Sequence, residues 1–517
     1  MNTGATDVLA VLHHLGVEIC FANPGTTELD VVRALEAHPE MRCVLGLQEN
    51  VCTGAADGYG RMAQKPALTL LHLGPGFANG IANLHNARRA HTPIVNLIGD
   101  HTSWHLPFDA PLTSDIESLA RPVSGWVHRI VSTDDAVEAA MQAVARTRDN
   151  GGQGTTLIFP ADYQAQATAG FTAPVASVAA TDKHETTYDC REPAARLREA
   201  RKVVFLLGGG GEVSGLGERA QCAVARLCEV LGASAYAETF PARAARGGGL
   251  PDFDRLPYFP EPARAVLDDA DLVVLAGAAA PITYFGYEGH PSRLVEDARL
   301  LVLSGPGEDV ASRLEALAQL LDAPAYRTPE SYLPAAAEGP LSPAGIAATV
   351  ARLLPEDCIV SVEGGTCGYP FYAASAGARR HTTLTNTGGA IGQGLPVAMG
   401  AAIACPGQRV VALLSDGSTQ YTIQALWSLA HEALPVVVLI AANHQYGILR
   451  NELRRGGQAL GERATVLTSL ENPRIDWVGL AQAYGVTASS VSTASELADD
   501  LAQALLRPGP TLIEMQL

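Results

Sequence analysis

The stretch Leu414-Ser415-Asp416-Gly417-Ser418 ends the apolar run Val410-Val411-Ala412-Leu413-Leu414, and Asn443, 27 residues beyond Asp416, follows a second run, Val436-Val437-Val438-Leu439-Ile440. Short apolar runs closed by a polar residue read as parallel strands. Between them Ile423, Leu426, Trp427, Leu429 and Ala430 recur at helical spacing, and Pro435 sets the boundary. A right-handed crossover then brings Asp416 and Asn443 side by side at the carboxyl ends of neighbouring strands, the edge where open α/β sheets hold ligands. One carboxylate and one amide oxygen there make a hard, oxygen-rich cation site, which magnesium suits when a diphosphate supplies further ligands.

The pattern extends outward from this unit. The chain has 517 residues, 47% of them hydrophobic, enough for about three domains. Ala-, Pro- and Thr-rich sequence over 164–185 and 322–342 reads as two linkers, dividing the chain into 1–165, 186–325 and 343–517. Each piece alternates strand-like runs with amphipathic stretches, among them 67–71, 94–98, 203–207 and 272–275. The expected fold class is α/β, with three doubly wound parallel-sheet domains. A net charge of -18 argues against a nucleic-acid or membrane-surface partner. No run reaches the roughly eighteen apolar residues of a membrane span, and no basic stretch precedes an apolar leader, so a cytoplasmic location is expected. The nine cysteines contain no Cys-x-x-Cys, which fits a reduced compartment, with Cys20, Cys43 and Cys52 as small core residues.

Several residues of the first piece carry chemistry. Asn23-Pro24-Gly25-Thr26-Thr27-Glu28 is a tight turn into a helix with a hydroxyl at its tip. Glu49 follows the apolar stretch 43–48, read as a strand; it is either a buried carboxylate in need of a partner or a carboxylate satisfying the first amides of a helix. His72 ends the 67–71 strand before Gly74-Pro75-Gly76, a structural or a catalytic place. In the middle piece Gly208 to Gly211 is either a cradle for a diphosphate or a plain strand-to-helix turn. His101 and His105 lie in a loop containing Trp104 and Pro107, and Arg450, Arg454 and Arg455 read as a solvated face.

Together the segments 21–28, 48–49, 55–61, 72–79, 385–394 and 414–443 resemble the thiamine-diphosphate (ThDP) enzymes of the acetolactate synthase and benzoylformate decarboxylase group. Ser415 replaces the first Gly of that family's Gly-Asp-Gly, and Ala442 the first Asn of its Asn pair. The resemblance implies a pyrimidine-binding domain, a central domain and a diphosphate-binding domain. It implies that Glu49 activates the cofactor by sharing a proton with the aminopyrimidine. Ile391 would wedge between the two rings, and the Gly389 carbonyl would meet the amino group. Gly417, Ser418 and Tyr421 would reach the diphosphate, while Asp416, Asn443 and the Gln445 carbonyl would hold Mg2+. Thr26 and His72 would orient substrate and transfer protons. The central domain holds FAD in acetolactate-synthase relatives, which leaves FAD open here. Active sites would lie at the interface of a homodimer or homotetramer, Glu49 of one chain serving the cofactor gripped by Asp416 of another.

Within that group, Phe285 stands where the benzoylformate decarboxylases carry a second active-site His. Glu452 stands where the synthases carry a Trp that selects the second oxo acid, and Pro111-Leu112 where they carry Phe-Gln. An acidic group suits poorly a site that must admit two anions. The reading is therefore ThDP- and Mg2+-dependent, non-oxidative decarboxylation of a small 2-oxo acid through an enamine, with carboligation as a side reaction. Its alternatives are an acetolactate synthase, a catalytically reduced paralogue, and a flavin- or nicotinamide-dependent oxidoreductase built on the middle glycine cluster.

Overall fold

Three mainly parallel sheets, each flanked by helices, order the chain. The computed structural model describes residues 2–172, 188–330 and 332–517, so the first expected linker lies outside the described residues from 173 onward. The N-terminal sheet comprises β1 (Ile19–Asn23), β2 (Arg42–Leu45), β3 (Ala67–His72), β4 (Ile94–Asp100), β5 (Trp126–Arg129) and β6 (Gly154–Pro160), in the order β2-β1-β3-β4-β6-β5 and parallel throughout. The middle segment supplies β7 (Val203–Leu207), β8 (Ser234–Ala237), β9 (Ala244–Arg246), β10 (Leu272–Ala276) and β11 (Leu300–Ser304). Four of these form the sheet β11-β10-β7-β8. β9 leaves it and pairs antiparallel with the C-terminal sheet, Ala245 opposite Thr382.

That third sheet contains β12 (Cys358–Val362), β13 (His381–Thr385), β14 (Val410–Ser415), β15 (Val436–Ala442), β16 (Thr487–Val491) and β17 (Thr511–Gln516), in the order β16-β17-β15-β14-β12-β13-β9. Without β9 it repeats the N-terminal order strand for strand. Both sheets reverse direction of progression beside their first strand, between β1 and β3 and between β12 and β14. Crevices for ligands open at such switch points.

Strand parity sets which side chains go where. Val410, Ala412 and Leu414 enter one core, Val411 and Leu413 the other. The first of these cores is shared: it continues through the helices Gly394–Ala404, Glu49–Ala63 and Leu73–Arg89 into Ile19, Phe21 and Leu71 of the N-terminal sheet. Cys20 and Cys52 are buried as expected, but Cys43 is exposed. The strand expected over 43–48 stops at Leu45, since Gly46 to Gln48 turn the chain into the next helix. Between β14 and β15 the chain is helical from Asp416–Thr419, tightens over Gln420–Thr422 and resumes as Ala425–His431, so the helix begins earlier than the apolar spacing indicates. The second linker, 323–330 and 332–338, has no helix or strand among the described residues.

Inside the shared core an ion pair joins all three segments. Asp57 and Arg61 lie one turn apart on the Glu49–Ala63 helix and are fully enclosed, with Arg61 Nη2 2.6 Å from Asp57 Oδ2. Arg61 also donates to the carbonyls of Ala242 (3.1 Å) and Thr385 (2.8 Å), while Asp57 accepts from Thr92 (2.6 Å) and Gln393 (3.3 Å). Removing one partner of a buried pair leaves an uncompensated charge, at a cost of about 3–5 kcal/mol. Arg61→Met should lower the denaturation midpoint by an amount on that scale, whereas Arg264→Met, which breaks a pair half open to solvent, should cost under about 1 kcal/mol. Equal midpoints for the two variants would contradict this assignment.

Candidate active site

The C-terminal edge of the third sheet brings Asp416 and Asn443 together. β14 and β15 pair in register through Ser415 and Ala441, which sets Asp416 opposite Ala442, with Asn443 one residue further along the chain. Asp416 is buried, and its two carboxylate oxygens accept from the Gly417 and His444 amides at 2.8 and 2.7 Å. Burial pushes the Asp416 carboxyl above its ordinary value, against those two N–H groups that pull it down. Asn443 Oδ1 accepts from the Gln445 amide (3.1 Å), and its Nδ2 donates to Thr366 Oγ1 (3.2 Å). The Gln445 carbonyl accepts from Gly447 at 3.0 Å, and its side chain is braced by Arg450, which also bonds Thr468 (3.0 Å). Arg450 is thus a support of this loop and not part of a solvated face.

Ser415 sits in extended backbone at φ -104 and ψ 152, and its hydroxyl fills the space left by Gly364, where a Cβ would stand 2.0 Å from Oγ. Ala442 is buried in the shared core. Both departures from the family signature are accommodated without distorting the edge. Ser418 turns its hydroxyl inward to the Ser415 carbonyl (3.0 Å), and Tyr421 is open to solvent.

A loop over 386–394 faces the same crevice. Ile391 is 42% exposed, so it is not a core residue. Gly389 has φ +78 with nothing within 4 Å of a Cβ position. Glu363, directly after β12, accepts from the amides of Gly392, Gln393 and Gly394.

At the N-terminal switch point Glu49 opens the Glu49–Ala63 helix, but the first free amide is capped by Gln48, whose Oε1 accepts from Asn50 (2.6 Å). Glu49 is only 8% exposed and accepts from Asn79 Nδ2 at 3.1 Å. It is therefore not spent on the helix terminus. His72 ends β3, and its Nδ1 lies 2.9 Å from Glu28 Oε2 and 3.1 Å from Thr27 Oγ1. Glu28 is fully buried and also accepts from Thr27 Oγ1 (2.6 Å) and the Gly25 amide (2.7 Å). A Cβ at Gly25 would stand 2.3 Å from the His72 ring, so the approach requires glycine. Thr26 faces solvent, and it is Thr27 that meets His72. Leu73, buried directly after His72, holds φ +50, a strained backbone of the kind that gathers at functional sites. A Cβ built on Gly76 would stand 3.1 Å from Glu49 Oε1 and 3.3 Å from His72 Cβ, so both residues border the space beside that glycine.

Residues 2–119 match the family model "Thiamine pyrophosphate enzyme, N-terminal TPP binding domain", and residues 365–515 match "Thiamine pyrophosphate enzyme, C-terminal TPP binding domain". A Mycobacterium tuberculosis protein named "Putative acetolactate synthase large subunit IlvX" is 44% identical over 99% of this chain and 98% of its own length. The benzoylformate decarboxylase of Pseudomonas aeruginosa is 30% identical over 100% of this chain and 99% of its own. The chain belongs to the thiamine pyrophosphate enzyme family. Among solved structures, the Rhodococcus jostii RHA1 ThDP-dependent 4-hydroxybenzoylformate decarboxylase superposes with a TM-score of 0.82 at 26% identity, covering 100% of this chain and 99% of that one.

The edge residues of this ThDP-family enzyme fit a divalent ion with a diphosphate. Among the described residues no three His, Cys, Asp or Glu side chains cluster to hold a metal alone. The donors at hand are one buried carboxylate, one amide oxygen and one backbone carbonyl, a hard set that leaves room for ligand oxygens. Ile391 and Tyr421 are both left exposed at this edge.

Three of the four amides of the middle glycine turn, 208–211, are taken up by the protein. Gly208 N donates to Ala276 O (3.0 Å), Gly209 N to Glu238 Oε1 (2.6 Å) and Gly210 N to Arg243 O (3.0 Å), so these amides face the protein and not a phosphate. A cavity of about 480 Å3 opens beside the turn, lined in part by Lys65, His91, Arg148 and Arg243. Burial raises Glu238 to about 7, opposed by the Gly209 N–H. Sequence reading missed Glu238 because its partner is 29 residues away.

Outside the crevice, Arg455 stacks over Phe259 (4.7 Å) and Tyr287 (4.8 Å) and bonds Glu261 at 2.6 Å, docking the Gly447–Arg455 helix on the middle segment. His290 Nε2 lies 3.4 Å from Glu261, and Phe285 is exposed. No helix among the described residues is long and apolar enough to cross a membrane.

A carboxyl whose folded value is raised binds more protons folded than unfolded, so stability falls as pH rises through that value. The wild type should therefore lose thermal stability from about pH 5 to above about pH 7 relative to Glu238→Gln, which keeps the acceptor for Gly209 and cannot ionise. Parallel curves of Tm against pH for the two proteins would contradict the placement of Glu238.

Proposed function

We propose that this chain is a ThDP- and Mg2+-dependent 2-oxo acid decarboxylase, with carboligation as a side reaction. The observation that supports the reading is that Glu49 Oε1 and His72 Cβ both border the space beside Gly76, at 3.1 and 3.3 Å, with His72 Nδ1 bonded to Glu28. In this reading Glu49 is the activating carboxylate and His72 the proton-transfer group.

When bound, ThDP supplies a thiazolium carbon that attacks the oxo group and an electron sink for the pair released with CO2. The chain's own residues do the rest. Asp416 and Asn443, with the Gln445 carbonyl, would hold the ion that anchors the diphosphate, and Gly417, Ser418 and Tyr421 would border it. Ile391 would force the two rings of the cofactor together, and the Gly389 carbonyl would accept from its amino group. Glu49, largely dry and bonded through one oxygen to Asn79, would share a proton with the pyrimidine nitrogen. His72 has Nδ1 committed to Glu28, so Nε2 would be the nitrogen that hands a proton to the substrate side of the site. The exposed Thr26 hydroxyl would orient the substrate carboxylate. Two such sites per dimer, each built from Glu49 of one chain and Asp416 of the other, would complete the assembly.

For the substrate, the aromatic side chains Tyr258, Tyr284 and Phe285 form a chain of ring contacts at 4.8 and 6.4 Å on the middle segment. Tyr369 lies one turn beyond Thr366, the partner of Asn443, on the helix Gly365–Ala374. Such a wall suits an aryl 2-oxo acid, in keeping with the names of two of the relatives. The synthase reading draws support from the 44% identical relative. Against it stands Glu452, an acidic side chain where the resemblance gives the synthases a Trp, in a site that would have to admit two anions.

Incubation with ThDP, Mg2+ and a panel of 2-oxo acids should release CO2, with kcat/KM for aryl acids at least about tenfold above that for pyruvate. Acetolactate as the principal product from pyruvate would favour the synthase instead. Glu49→Gln should still bind ThDP but exchange its C2 proton at least about a hundredfold more slowly. Exchange at the wild-type rate would remove Glu49 from its role.

A further inference from the structure

Glu363 occupies in the C-terminal sheet the place that Glu28 occupies in the N-terminal one, just past the first strand at the switch point. Its amide donates to the Leu413 carbonyl (3.0 Å), which fixes it beside the strand that delivers Asp416. The carboxylate is buried and accepts four N–H groups: Gly392 at 2.8 Å, Gln393 at 3.2 Å, Gly394 at 2.9 Å and Asn386 Nδ2 at 3.2 Å. Those donors lie at the two ends of the 386–394 loop. Asn386 carries the restraint inward, accepting from the Gly389 amide (2.8 Å) and donating to the Ala390 carbonyl (2.8 Å). From the N-terminal segment Asn86 meets Ala390 through both its amide and its carbonyl, at 3.1 and 2.8 Å. Only the middle of the loop, Gly389 and Ile391, is left without packing.

We propose that Glu363 is a positioning residue that presets the Gly389 carbonyl and the Ile391 side chain for the cofactor, so that binding does not have to order the loop. The inference rests on the reading of 389–391 as the cofactor-facing segment. A carboxylate at the start of the helix Gly394–Ala404 also has a plain stabilising role, since the first amides of a helix lack internal partners. The two roles differ in what they move. A cap alone supports the helix. A positioning residue controls the loop ahead of it, and a site whose supporting shell is loosened loses affinity and rate while the fold persists. Burial raises the Glu363 carboxyl and the four donors lower it, which agrees with a group whose geometry is set by these bonds.

The test compares wild type with Glu363→Gln, which keeps the shape but exchanges one acceptor for a donor, and with Glu363→Asp, which keeps the charge and withdraws it by one methylene. In cofactor-free protein, hydrogen exchange at 389–394 should quicken at least about tenfold in Glu363→Gln, with β12 and β14 still protected. The ThDP dissociation constant should rise at least about tenfold, and at saturating cofactor kcat should fall while KM for the 2-oxo acid changes less than about twofold. Glu363→Asp should show the same pattern more weakly, and it reads the proposal if the glutamine variant does not fold. Unchanged loop exchange and cofactor affinity would overturn the proposal, as would loss of protection spread evenly over β12, β14 and the helix. Failure of the wild type itself to bind ThDP would instead sink the underlying functional reading, whatever the exchange data show.

Discussion

The architecture depends on one enclosed ion pair, Asp57 with Arg61. These side chains lie on a single helix, yet their remaining hydrogen bonds reach the Thr92 hydroxyl, the Ala242 and Thr385 carbonyls and the Gln393 amide. Charges taken out of water are tolerated only where every donor and acceptor finds a partner. The partners here come from all three segments, so the pair fixes their mutual placement. The helix that carries it begins with Glu49, and the chain it touches at 385 and 393 brackets the loop with Gly389 and Ile391. One constraint therefore sets both Glu49 and the 386–394 loop of the same chain.

Around this pin the same strand order is used twice, and each copy places its chemistry at the same point. Glu28 follows β1 and His72 ends β3; Glu363 follows β12 and Asp416 follows β14. Each of these carboxylates is dry, and each is bound by N–H or O–H donors or by a histidine ring. Hydrogen bonding offsets the cost of burial and also fixes direction. Glu28 leaves one nitrogen of His72 free, Glu363 holds a loop, and Asp416 ties the end of β14 to the loop after β15 through the His444 amide. In a site shaped this way the protein contributes orientation and charge, and the bond-breaking falls to a cofactor.

The strand-helix-strand unit that carries Asp416 and Asn443 was legible in the sequence because its signal is local. An apolar run ahead of Asp416 and another ahead of Asn443 need only that rule to become neighbouring parallel strands, and β14 and β15 pair through Ser415 and Ala441 accordingly. Glu363 closes the run Cys358-Ile359-Val360-Ser361-Val362 in the same way and was readable by the same rule. Its role was not, since its donors lie 23 to 31 residues on and the loop geometry decides which amides it meets. Glu28 was hidden for the same reason: it is 44 residues from His72, and the sheet order that joins β1 to β3 is not written in either segment. Thr26 drew notice as the hydroxyl at the turn, whereas the 3-10 turn Thr26–Glu28 presents Thr27 to the histidine. Arg450 and Arg455 carry no mark that separates a solvated charge from a docking one. The glycine cluster at 208–211 suggested a phosphate cradle, and only the structure shows its first three amides bound to Ala276, Glu238 and Arg243.

The central claim is that each working site is divided between two chains, the acid from one and the cation grip from the other. It is tested most directly by co-expressing Glu49→Gln and Asp416→Ala under different tags and purifying dimers that carry both. Each parent should be inactive, while the mixed dimer has one site with both defects and one with neither, so it should show about half the wild-type turnover per dimer. Mixed dimers as inactive as their parents would contradict the account.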